Sequence, residues 1–148
     1  MKNAKTVNVP LAAHFALSNN QCPKTDHDKT HMQTVPYANS IGSIMYLMVC
    51  TRPDIAYAVS CLSRYMADVG QPHWEAVKWL LRYLGGSRDV CIKFCNSKQD
   101  IVINGFVDSK YANDRDSHKS STSYAFTLCG SCVSWKSQLQ HVVALSTT

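Results

Sequence analysis

The hydrophobic period of this 148-residue chain changes once, at Gly85-Gly86, and that change restricts it to helices followed by strands, an α+β arrangement. Before the glycines, apolar residues recur three and four apart. Tyr37, Ile41, Ile44 and Met48 predict a mostly buried helix over 37–50 that tolerates Gly42. Thr51-Arg52-Pro53-Asp54 reads as the next helix start, with Thr51 as N-cap, a proline near the first turn and an acid to meet free N–H groups. Ile55, Val59, Leu62 and Met66 then mark one face to about residue 67. After Gly70-Gln71-Pro72, the stripe Trp74, Val77, Leu81 and Leu84 places a third helix over 73–84. Beyond the glycines the pattern alternates. Strands are expected over 90–95, 101–108, 121–128, 132–135 and 142–145, with turns at 96–100 and 129–131. Residues 1–35 hold no lasting period and are expected to form an extended arm or linker.

With 45% apolar and 17% charged residues the chain is globular in composition. Its richest apolar run, 44–50, is far below the ~20 residues of a membrane span. The basic start, Met1-Lys2-Asn3-Ala4-Lys5, has no apolar stretch of signal-peptide type behind it, so the expected location is intracellular, cytoplasmic or nuclear, and not secreted. The seven cysteines then read as reduced thiols. A net charge of +5 is compatible with nucleic acid and does not establish it.

Cys129-Gly130-Ser131-Cys132 has the C-x-x-C spacing of a zinc or redox pair. No second such pair exists, and Cys91 and Cys95 on one strand would lie about 13 Å apart. A hairpin is the expected reading, and a small zinc-stabilised interaction module is the alternative. His27 and His31 have ligand spacing but fall in the polar arm, so they read as solvated. Lys78 and Arg82, four apart on the third helix, and Arg88 beyond its end form a basic ridge beside Trp79 and Tyr83. It suits sequence-independent phosphate contact, or is an ordinary solvated face. Asp108 closes an apolar strand and precedes a loop with Asp114 and Asp116. Such a carboxylate is either a Mg²⁺ ligand or a turn residue.

The ordered run Val35-Pro36-Tyr37-Ala38, Ile41-Gly42-Ser43-Ile44-Met45-Tyr46, Thr51-Arg52-Pro53-Asp54-Ile55, His73-Trp74-Glu75-Ala76-Val77-Lys78, Gly105-Phe106-Val107-Asp108, Val133-Ser134-Trp135-Lys136-Ser137 and Val143-Ala144-Leu145-Ser146-Thr147-Thr148 resembles the Pol polyprotein of copia-type LTR retrotransposons along essentially the whole chain. The resemblance implies a passage from the end of the reverse transcriptase domain into the ribonuclease H domain. The implied units are an arm over 1–35, a three-helix thumb-like segment over 36–86, and the first strands of an incomplete ribonuclease H-like antiparallel sheet over 87–148.

The resemblance also implies that Asp108 is the vestigial first ribonuclease H acid of a site that uses Mg²⁺ on an RNA–DNA hybrid. The family's Tyr-x-Asp-Asp palm motif is absent, Lys110 stands where a second Asp is common, and the next acid would follow Thr148. The expectation is therefore a truncated, inactive segment that binds no Mg²⁺ itself. Lys78, Arg82 and Arg88 are its candidate contacts to duplex or hybrid, and self-association through the incomplete sheet is expected.

Overall fold

The computed structural model describes residues 4–94 and 101–147. Four helices, α1 (Asp26–Gln33), α2 (Tyr37–Thr51), α3 (Ala56–Leu62) and α4 (Gln71–Gly86), precede three strands, β1 (Ile103–Lys110), β2 (Ser121–Leu128) and β3 (Ser131–Leu139). The fold is α+β, and the strands form an antiparallel sheet in the order β1-β2-β3.

The helical core is the apolar stripes meeting. Tyr37, Ile41 and Ile44 of α2, Val59 and Leu62 of α3, and Ala76, Val77 and Leu80 of α4 are buried against one another. Each large side chain so buried contributes roughly 1.5–3 kcal/mol. The buried stripe of α4 is turned relative to the expected one, since Trp74, Leu81 and Leu84 lie at its margin. Tyr37 buries its ring and donates its hydroxyl to the Leu62 carbonyl at 2.8 Å, which satisfies both halves of the side chain.

Five expectations are corrected. Helix α2 is not mostly buried: Tyr37, Ile41 and Ile44 are its buried residues, while Tyr46 and Val49 are 75% and 66% exposed, because its other face has no helix or strand packed over it among the described residues. The arm is not extended throughout, because α1 forms within it, with the Thr25 hydroxyl accepting the Asp28 amide at 3.1 Å. Thr51 ends α2, and Arg52 takes the cap position of a 3-10 turn over Pro53–Ile55. The helix expected to reach residue 67 ends at Leu62 and tightens into a 3-10 turn over Ser63–Tyr65, leaving Met66 41% exposed. Residues 90–94 and 142–145 are not strands. Their apolar residues have no ladder partner, and Val142 and Leu145 are exposed. Cys95 and the expected turn at 96–100 lie outside the described residues.

In the sheet, Asp108 faces Ser123 and Ser123 faces Ser137, while Val107 faces Tyr124 and Tyr124 faces Lys136. One face therefore carries Phe106, Asp108, Lys110, Ala125, Trp135 and Leu139, and the other carries Ile103, Val107, Tyr124, Phe126 and Leu128. Trp135 ties the first face to the helices by donating its indole N–H to the Met48 carbonyl at 3.2 Å. The β2–β3 hairpin turns through Cys129 and Gly130, both with positive φ (49° and 79°), as a two-residue type I′ turn requires.

Candidate functional site

Asp108 lies on β1 and lines a shallow depression of about 320 Å³ with Tyr57, Lys110, Ser121, Ser123 and Ser137. It is the one carboxylate among these lining residues, and the Lys110 ammonium shares the depression with it. The strand holds Asp108 on the helical side of the sheet, since its ladder partners Ser123 and Ser137 lead across to the Trp135 face.

The acids that follow Asp108 are occupied elsewhere. Asp114, buried, accepts from the Arg64 guanidinium at 2.7 Å and from the Ser117 amide and hydroxyl at 2.9 and 2.5 Å. Burial alone would raise its pKa, but the Ser117 bonds and Arg64 outweigh burial and hold it below the ordinary carboxylate value. Asp116 accepts the Asn19 amide with both oxygens at 3.0 Å, and the Tyr65 hydroxyl at 3.3 Å. Asn113 adds a bond to the Tyr57 hydroxyl at 3.1 Å. The loop after β1 is thus tied to the helical part and to the segment before α1.

A second buried ionic cluster closes the helical part. Arg52, 5% exposed, grips Asp54 with two parallel bonds of 2.9 and 2.7 Å and reaches the Ser87 carbonyl and hydroxyl at 3.0 and 2.7 Å. Tyr83 donates to Asp54 at 2.7 Å, and its ring lies 5.6 Å under the guanidinium. The Thr51-Arg52-Pro53-Asp54 motif is therefore a clamp from the α2–α3 turn to the end of α4. Its partner Ser87 carried no local signal, because 35 residues separate it from Arg52.

The basic ridge is not an open surface. Arg82 donates Nε to the Lys5 carbonyl at 2.7 Å and lies 5.1 Å over the Trp79 ring. Trp79 itself donates to the Val9 carbonyl at 2.9 Å and meets His14 and Phe15 edge-on. The segment 5–15 lies along α4 at Trp79 and Arg82. Lys78 is half-buried, while Arg88 past the helix end is exposed. Arg64, which anchors Asp114, is the residue that sequence reasoning missed, and no pattern links it to an acid 50 positions away. Cys129 sits in the hairpin turn and Cys132 pairs with Thr127 on β3. Among the described residues, no three His, Cys, Asp or Glu side chains come together as a metal site.

Compared with known proteins, the chain is 53% identical over its full 148 residues to the Retrovirus-related Pol polyprotein from transposon TNT 1-94 of Nicotiana tabacum, and covers 11% of that protein. The chain belongs to the Pol polyproteins of copia-type retrotransposons. It is 35% identical over 149 aligned positions to the Retrovirus-related Pol polyprotein from transposon RE2 of Arabidopsis thaliana, spanning 10% of that relative. A shorter relative, the Secreted RxLR effector protein 161 of Plasmopara viticola, is 44% identical over 117 residues, which are 79% of this chain and 82% of that protein. The chain thus spans about a tenth of the length of the Pol polyproteins it matches. No family model and no solved structure matches it. Among the described residues, no helix of this Pol segment is long and apolar enough to cross a membrane.

Proposed function

We propose that this Pol segment is the joint between the reverse transcriptase and ribonuclease H parts of the polyprotein, and that it holds the helical part and the sheet in a fixed relation without catalysing a reaction itself. The observation that carries this reading is the tether from the loop after β1, in which buried Asp114 pairs with Arg64 and Asp116 takes Tyr65 and Asn19. The acids next to Asp108 in sequence are spent on holding the fold together. A ribonuclease H-type reaction needs Mg²⁺ in a cage of hard oxygens. The depression around Asp108 offers one carboxylate, hydroxyls and an ammonium group, which do not fit such a site. An RNA–DNA hybrid or duplex is the partner proposed for the whole polyprotein. In this segment Lys78 and Arg88 are the candidate backbone contacts, while Arg82 is held by the chain's own residues 5–15.

The test is incubation of the chain with a labelled RNA–DNA hybrid and Mg²⁺. The joint reading predicts no cleavage, with wild type and Asp108→Asn alike. Mg²⁺-dependent cleavage that Asp108→Asn abolishes would contradict it.

A further inference from the structure

The helix α1 changes the meaning of His27 and His31. In a polar linker, two histidines four apart are independent solvated rings. On a helix, positions i and i+4 stand one above the other on the same face, with Cβ atoms about 6 Å apart. Both lie on α1, Asp26–Gln33, whose start is fixed by the reciprocal Thr25–Asp28 bonds, 3.1 Å from the amide of Asp28 and 2.6 Å to its carboxylate. Both rings are exposed. They line one concavity of about 610 Å³, shared with Lys24, Asp28, Gly70, Gln71 and Pro72.

Two further observations bear on this pair. The Asp28 carboxylate, which accepts the Thr25 hydroxyl at 2.6 Å, lies 3.7 Å from His27 Nδ1, too far for a hydrogen bond but near enough to add negative charge beside the pair. Cys22 lines the same concavity but donates its thiol to the Asp68 carbonyl at 3.1 Å, so it is protonated and turned to the backbone. The donor set is therefore two imidazoles, which ligate a metal through an unprotonated ring nitrogen, with the remaining positions open to water. Imidazole suits Zn²⁺, Ni²⁺ and Cu²⁺ and not Mg²⁺.

The geometry points to a two-histidine site on α1, His27 with His31, that takes one borderline divalent transition-metal ion and completes its coordination with water. The site exists only while α1 is helical, so metal binding and helix formation support each other.

The test is calorimetric titration of the whole chain with Zn²⁺ and, separately, Ni²⁺, near neutral pH. Expected is one ion per chain, with affinity reduced about tenfold or more in His31→Ala and in His27→Ala, and unchanged in Cys22→Ser. The Tm should rise with Ni²⁺ in wild type and not in His31→Ala. Both histidines are exposed, so these variants keep the fold, and unchanged circular dichroism without metal checks that. Absence of binding, equal binding in wild type and His31→Ala, or loss on Cys22→Ser would overturn the assignment.

Discussion

Gly70 and His73 together set the start of α4. The Gly70 amide donates to His73 Nδ1 at 2.9 Å, and His73 Nε2 meets the Ser18 carbonyl at 3.2 Å, so the ring is the neutral Nε2–H tautomer. It is fully buried and stacks on Tyr65 at 4.0 Å. Burial pushes its pKa below the ordinary value, against the opposing pull of the Ser18 carbonyl, Asp116 and Asp68. Between the depressed folded pKa and about 6.5, the unfolded chain binds a proton that the folded chain does not. Stability from this group is therefore complete above about pH 6.5 and falls as the pH drops through the folded pKa. Urea midpoints measured from pH 7.5 downward should show that decline, and His73→Gln, which retains an acceptor for Gly70 but no titration, should flatten it. Gly70 itself has no room for a side chain, since an added Cβ would run into the Gln21 carbonyl. Gly70→Ala should cost about 1–3 kcal/mol in urea unfolding, because the obstacle is backbone and does not yield.

Among the elements, the β2–β3 hairpin and the loop after β1 carry opposite kinds of constraint. Cys129 holds a positive φ of 49° without being glycine, a conformation that costs an ordinary L-residue on the order of 1 kcal/mol. Cys129→Asn should therefore leave stability unchanged or raise it by up to about 1 kcal/mol, whereas Cys129→Val should lower it. At the loop, Asp114→Asn leaves the largely buried Arg64 charge unpaired, and a loss of about 3 kcal/mol is expected in thermal or urea unfolding. The elements differ in how far the sequence declared them. Helices α2 and α4 were legible because their apolar residues recur three and four apart, although the buried face of α4, with His73, Ala76, Val77 and Leu80, is turned from the expected stripe; β2 was legible from its residue types, since its burial barely alternates. Helix α1, Asp-His-Asp-Lys-Thr-His-Met-Gln, buries only Met32, so it has no stripe. Its signals were the Thr25 cap and the acids of its first turn. Residues 90–94 and 142–145 alternate as strands do, but periodicity names residues able to pair and says nothing of whether a partner lies beside them. Asp108 and the ridge were legible as chemistry. Their surroundings were not, because Arg64 with Asp114, and Lys5 with Arg82, are contacts between distant parts of the chain.

Taken as one molecule, the segment buries its helical core well and its sheet poorly. Every residue of β1 is exposed, with Ile103 and Val107 at 68% and 80%, and Phe126 at 41% and Leu128 at 39% share their face. An apolar face beside an unpaired edge favours association. Sedimentation of the isolated chain should show oligomers, and the pair Ile103→Lys with Val107→Lys should shift it toward monomer. The joint reading depends on the helices and this sheet behaving as one unit. Trp135 lies on β3 and bonds to α2, whereas most of the helical signal comes from α2, α3 and α4. Urea unfolding followed by far-ultraviolet circular dichroism and, in a Trp74→Phe, Trp79→Phe background, by Trp135 fluorescence tests that dependence directly. The account predicts coincident single transitions that separate in Asp114→Asn; transitions already separate with Asp114 intact, the Trp135 signal lost first, would contradict it.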